Sequence, residues 1–202
     1  LSITLHPMNF LAHIYLSGND PQLTIGNFIG DFVKGGSLTG QYEPQVIKGV
    51  ALHRAIDEFT DSHQVVQKSK DRLRPKYRHY SGVIIDMFYD YFLAKNWDHF
   101  HKTSLPEFAE RFYLLLKENE EMLPLKAQRM MPYMEKGNWL VNYGKKEGLH
   151  RALSGMARRT SFDSRMDESI VELSKYETEF ENEFFEFFPA LVTFSNNWIE
   201  TH

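Results

Sequence analysis

Apolar positions return every three or four residues through most of the chain, and no stretch sustains the alternation of a strand, so the pattern reads as helix almost throughout. Asp20-Pro21 is a start signal, a capping carboxylate followed by proline at the first helical position. The helix it opens is expected to span 20–33 and to stop at Gly35-Gly36, which leaves Asp31 in its last turn. After a loop-like stretch over 35–43, Pro44 opens a second helix running to about Asp61. Further helices are expected over 64–70 and 81–96. Ser104-Leu-Pro-Glu107 has the spacing of a capping box and opens another, with Phe108, Phe112, Leu115 and Leu116 on its apolar side. Helices over 127–136, 139–143 and 148–158 and one long terminal helix over 166–188 complete an all-α fold.

With 202 residues, 42% hydrophobic and 14% aromatic, the chain can bury one core, and no break in composition marks a second domain. The expected organisation is a single compact multi-helix domain over 8–202, with 1–7 as an N-terminal extension of no functional weight. A net charge of −4 with both signs mixed gives no global attraction to nucleic acid or to an anionic membrane, so an anionic partner must be met by a local patch. The absence of cysteine excludes disulfides, thiolate nucleophiles and cysteine-type zinc sites, and is compatible with a cytoplasmic address. The apolar run at 10–16 is interrupted by His13 and lacks a basic flank and a cleavage site; it is neither a signal peptide nor a membrane span.

Candidate chemistry enters with His53, Asp57 and Asp61, which recur every four residues beside Leu52, Ile56 and Phe59. On a helix a step of four returns almost to the same face, about 6 Å further along the axis, so His53 and Asp57 can converge on one cation while Asp61, about 12 Å from His53, cannot join both. The plain alternative is a surface helix with Arg54 or Glu58 as partners. Asp86 lies in the strongly apolar run Val83-Ile-Ile-Asp86-Met-Phe-Tyr-Asp90, where a carboxylate needs a compensating charge; Asp90, one turn on, reads equally well as solvent-facing. Asp31 at a helix C-terminus is disfavoured by the dipole, which suggests another use. His13 in its apolar run reads first as a hydrogen-bonded core residue and second as a ligand. Lys68, Lys70, Arg72, Arg74, Lys76 and Arg78 form a basic strip offset only by Asp71, either a solvated charged loop or a dock for an acidic macromolecule or phosphate. Arg158 and Arg159, after Gly155, can grip a phosphate or simply suit a helix end.

Taken in order, Asn9-Phe-Leu-Ala-His13, Gly26-Asn-Phe-Ile-Gly-Asp31-Phe-Val-Lys-Gly35, His53-Arg-Ala-Ile-Asp57-Glu-Phe-Thr-Asp61, Asp86-Met-Phe-Tyr-Asp90, Trp97 and Gly155-Met-Ala-Arg158-Arg159 resemble the acyl carrier protein phosphodiesterase family over about 8–189. That family is distantly related to the HD-type metal phosphohydrolases. The resemblance implies an HD-domain-like helical bundle that hydrolyses holo acyl carrier protein to the apo protein and 4′-phosphopantetheine. It also implies a divalent cation, manganese first, with Mg²⁺, Fe²⁺ or Co²⁺ as alternatives. On this reading Asp31, His53, Asp57 and Asp86 hold the metal, and His13, Asp61 and Asp90 stand behind them. Arg54, Arg158 and Arg159 steady the phosphoryl oxygens, and an activated water attacks phosphorus in line with the carrier's serine oxygen. The basic strip would dock the acidic carrier protein. The family pattern often carries Asp-His where this chain has Asp90-Tyr91. Two other readings stay open: a metal phosphohydrolase of a small phosphodiester, and a non-catalytic helical module that binds an acidic partner. Nothing in the sequence bears on oligomeric state.

Overall fold

A computed structural model describes residues 9–35 and 38–202; the expected extension over 1–7, Met8 and the Gly36 half of the expected helix stop lie outside the described residues. The chain forms α1 (Phe10–Tyr15), α2 (Pro21–Ile29), α3 (Pro44–Ser62), α4 (Gln64–Tyr77), α5 (Ser81–Lys95), α6 (Leu105–Glu118), α7 (Leu125–Lys136), α8 (Trp139–Asn142), α9 (Lys146–Ala157), α10 (Ile170–Lys175) and α11 (Glu177–Thr201), joined in part by short 3₁₀ turns. The described residues hold no strand, only an isolated bridge between Thr39 and Tyr42. The fold is all-α. None of its described helices is long and apolar enough to cross a membrane.

Helix α5 runs through the middle. Its Ile84, Ile85, Phe88, Phe92 and Leu93 are buried, and α1, α4, α9 and α11 pack against it. Helix α11 lays a stripe of Phe180, Phe184, Phe187, Phe188 and Leu191 on the same core. That burial also explains why α11 continues to Thr201 rather than ending at 188: Pro189 removes one backbone hydrogen bond, and the aromatic stripe on both sides outweighs the loss. The expected terminal helix is divided, with a 3₁₀ turn at Met166–Ser169, then α10, then a break at Tyr176.

Two close approaches position the site. Helices α2 and α3 touch backbone to backbone: a Cβ on Gly26 would lie 2.0 Å from the Val46 carbonyl oxygen, and one on Gly49 would lie 2.3 Å from that of Leu23. This contact sets Asn27, next to Gly26, beside His53, one turn beyond Gly49. Gly30 then passes against the His53 ring, where a Cβ would lie 2.3 Å from Cγ. Helix α2 ends there, at Ile29 rather than Val33, so Asp31 sits in the turn beyond the helix rather than in its last turn.

Helix α1 has only six residues and would not persist by itself. Asp90 of α5 holds its start, the two carboxylate oxygens accepting the amides of Leu11 at 2.9 Å and Ala12 at 2.8 Å. Both oxygens are used in this way, and Asp90 is fully buried. Burial pushes its pKa up to about 7 against the pull of the two amides. The reading of Asp90 as a metal ligand is therefore corrected: it fixes the helix that carries His13.

Candidate metal centre

Three side chains from two helices converge. The ligand atoms of His13 (α1), His53 and Asp57 (both α3) lie within 4.8 Å of one another, the one such group of three or more among the described residues. The two imidazoles stack with ring centroids 4.1 Å apart. Asp57 Oδ1 is 3.4 Å from His13 Nε2, and its Oδ2 is 3.3 Å from His53 Nε2. Asp31 reaches the same point, with Oδ1 3.4 Å from His53 Nε2.

The orientation of both imidazoles comes from Asn27, a fully buried residue of α2. Its Nδ2 donates to the His13 carbonyl at 2.8 Å and to Ser17 Oγ at 3.0 Å, which leaves Oδ1 as an acceptor for His13 Nδ1 at 2.8 Å. The Asn27 backbone carbonyl accepts from His53 Nδ1 at 2.8 Å. A carbonyl oxygen cannot donate, so each Nδ1 carries a proton and each Nε2 is the atom turned toward Asp57. Nδ1 held by an oxygen acceptor and Nε2 free for a cation is the usual arrangement around metal-binding histidines. Two oriented Nε2 atoms with one or two carboxylates form a donor set suited to a divalent transition ion, with imidazole and carboxylate but no thiolate.

Before any ion arrives, His53 is held between acids. Burial disfavours its charge, but hydrogen bonds to Asp31 and Asp57 and their negative charges win and raise its pKa to about 10. Burial likewise works against the Asp57 carboxylate, and the two histidines outweigh it, so its pKa falls below the usual range. His53 is thus protonated at neutral pH, and an ion must displace that proton. Metal affinity is expected to rise by about tenfold per pH unit between pH 7 and 10, with close to one proton released per ion. Titration calorimetry in two buffers of different ionisation enthalpy checks this; identical heats in both would contradict it.

The cavity facing these atoms measures about 270 Å³. Its lining combines polar groups, His13, Asp31, Asp57, Asp61 and Asp86, with the apolar Ile56, Phe187, Phe188 and Leu191. Asp86 lines this cavity but stands outside the converged group. Burial raises its pKa well above the carboxylate range, with Lys70 opposing and Asp57, Asp61 and Asp90 reinforcing. Asp61 is tied to Lys70, whose Nζ lies 2.6 Å from Oδ1. The converged group therefore brings His13, expected behind the ligands, together with His53 and Asp57, while Asp86 lines the same cavity and Asp61 pairs with Lys70.

The expected phosphate and docking residues are dispersed. Arg54 is exposed and absent from the cavity lining. Arg158 and Arg159 line another cavity with Trp139 and Tyr143, one that shares no residue with the metal cavity. The strip proves to be helical as far as Tyr77, not to Lys70 as expected. Helical geometry sends Lys68, Arg72 and Lys76 to one face, where they meet acids: Arg72 grips Glu183 with both terminal nitrogens at 2.8 Å, Lys68 approaches it at 3.4 Å, and Lys76 pairs with Glu168 and Glu172. Lys70, Arg74 and Arg78 take the other face and line a groove of about 520 Å³ with His79. Tyr91, where the family pattern carries histidine, turns away from the cavity and donates its hydroxyl to Glu177 at 2.9 Å, pinning the start of α11.

Comparison with known proteins agrees with this geometry. The model of the family described as Acyl carrier protein phosphodiesterase matches residues 8–191. A Photorhabdus laumondii protein named acyl carrier protein phosphodiesterase is 31% identical, the match covering 94% of this chain and 96% of that one. Proteins of the same name from Yersinia enterocolitica and Shigella boydii are 29% and 28% identical, each match covering 92% of this chain and 96% of the relative. No solved structure matches. With all but the two ends of the chain inside the match, and with its histidine and aspartate motifs brought to one cavity, this protein belongs to the acyl carrier protein phosphodiesterase family.

Proposed function

We propose that this chain is a phosphodiesterase dependent on a divalent metal, hydrolysing holo acyl carrier protein to the apo protein and 4′-phosphopantetheine. The observation that carries the proposal is the meeting of His13, His53 and Asp57, with Asp31 beside them, in a chain of this family. His13 Nε2, His53 Nε2 and the carboxylates of Asp57 and Asp31 would hold the ion, a divalent transition metal by its donors, with manganese the first expectation that the family resemblance implies. The ion supplies charge neutralisation at the non-bridging oxygens and lowers the pKa of a water beside it.

The rest of the work falls to the chain. Asn27 keeps both imidazoles in one tautomer through its side chain and its carbonyl. Asp86 faces the same cavity with a proton affinity raised by burial, and it is placed to take the proton of the attacking water. The cation beside the cavity's acids is Lys70: its buried side chain pairs with Asp61 and lines the basic groove, which shares Asp61 and Asp86 with the metal cavity. There its ammonium can meet a non-bridging phosphoryl oxygen. The apolar lining residues Ile56, Phe187, Phe188 and Leu191 limit water in the cavity. A carrier protein substrate makes the cytoplasm the expected compartment.

Incubation of holo carrier protein with the enzyme and Mn²⁺ is expected to remove the 4′-phosphopantetheine group, read by intact-protein mass spectrometry. Chelator should stop the reaction and added Mn²⁺ restore it. A carrier protein that keeps its prosthetic group under all three conditions rejects the proposal.

A further inference from the structure

A second cavity, of about 330 Å³, is lined by α8, α9 and the turns around them, and the metal centre plays no part in it. Its lining holds the guanidinium groups of Arg151, Arg158 and Arg159 and no carboxylate. Arg151 and Arg158 make no ion pair among the described residues. Arg159 is anchored, its Nε donating to the Gly155 carbonyl at 3.0 Å, and burial together with the neighbouring charge of Arg158 lowers its pKa. Like charges gathered around a hollow without an acid repel one another, and an anion relieves them. Steps of three and four set Gly148, Arg151, Ala152 and Gly155 on one face of α9. The small residues leave the room: a Cβ on Gly155 would meet only the Arg158 side chain, at 3.9 Å.

The same lining includes Trp139, which is half-buried and whose indole has neither a ring contact nor a hydrogen bond among the described residues. The indole is fixed by packing, its Nε1 edge lying against Gly137, where a Cβ would be 2.7 Å away. Asn142 donates its side-chain amide to the Gly137 carbonyl at 2.7 Å, which leaves its Oδ1 as an acceptor. We propose that this cavity is a second ligand site, separate from the metal centre, that takes a nucleoside monophosphate with an amino-bearing base, the phosphate held by Arg151, Arg158 and Arg159 and the base by Trp139. Planar guanidinium groups match phosphate oxygens in pairs. An indole offers a face on which a base stacks, and Asn142 Oδ1 can accept from the exocyclic amine. The volume is enough for a small organic ligand, whose pockets begin at about 300 Å³. An inorganic anion would use the arginines alone and leave the indole idle; an uncharged ligand would leave the arginines unanswered.

Titration calorimetry of the intact protein with AMP, in chelator so that no metal recruits the phosphate, is expected to show binding below millimolar concentration. Adenosine and inorganic phosphate should each bind about tenfold more weakly or worse, and the AMP affinity should fall as salt is raised. Arg151→Ala/Arg158→Ala is expected to weaken AMP binding by about tenfold or more with an unchanged melting curve, because both side chains are exposed. Gly155→Leu should weaken it as much by filling the cavity, and its fold should hold, since leucine suits a helix better than glycine does. Trp139→Leu should weaken AMP and leave inorganic phosphate as it was. AMP that fails to bind at millimolar concentration overturns the proposal, as does inorganic phosphate that binds as tightly as AMP. So does AMP binding that survives both the arginine pair and Gly155→Leu, or that is lost in Asp57→Asn, which would place the nucleotide in the metal cavity.

Discussion

Asp57→Asn is expected to cut kcat/KM on holo carrier protein by about 10³-fold or more, a loss of about 4 kcal/mol of transition-state stabilisation, and to weaken Mn²⁺ binding in parallel. Asp57 is the one group that spans both imidazoles, with one oxygen 3.4 Å from His13 Nε2 and the other 3.3 Å from His53 Nε2. Asparagine keeps the size and one oxygen but loses the charge that balances a divalent ion. It also loses the charge that holds the His53 proton, so the pKa of His53 should fall from about 10, leaving Asp31 as its acidic partner. The side chain is about half exposed, so the fold should survive, and circular dichroism with a melting curve serves as the control. A folded variant that binds Mn²⁺ and turns over like the wild type would remove Asp57 from the centre.

Asn27→Leu should cost about 10–100-fold in metal affinity, together with about 1–3 kcal/mol of stability. Leucine has nearly the shape of asparagine, so packing against α3 is preserved. What is lost is the acceptor for His13 Nδ1 and the donor to the His13 carbonyl and Ser17 Oγ, all buried. The backbone carbonyl remains, and with it the hold on His53. The variant therefore frees one imidazole and leaves the other oriented, which separates it from a general collapse of the site. Denaturant melts measure the stability loss and calorimetry the affinity. If the two histidines shift equally in NMR titrations of the variant, the division of labour within Asn27 is wrong.

The periodicity of α3 was enough to pair His53 with Asp57, because four residues along a helix return to one face whatever the helix packs against. The same rule could not rank His13. Whether a histidine in an apolar run is filler or ligand depends on where its Nε2 points, and that is set by Asn27, fourteen residues later on another helix. Asn27 itself went unnoticed as a functional residue, although a signal was present: an amide beside Gly26, with Gly30 four residues on at the helix end, where close backbone contact forces a polar side chain inside. Asp86 and Asp90 were indistinguishable as carboxylates in apolar company. Packing separates them, because α1 begins against α5 at Asp90 and the metal cavity opens beside Asp86. The basic strip was legible as charge but not as a surface. Once α4 extends to Tyr77, every second residue of the strip turns to Glu183, Glu172 or Glu168, and the alternate ones are left for the groove.

By itself, then, the order of residues determined an all-α chain, the helix that pairs an imidazole with a carboxylate, and the family to which both belong, since these depend on local periodicity and on ordered motifs. Tertiary structure alone decided which second histidine joins the converged group, which acids cap or pair, and which basic residues meet acids across helices. The physical reason is that ligation and ion pairing act over about 2–4 Å between atoms whose separation along the chain is arbitrary, so only the packing of α1, α2, α3 and α5 brings them within range.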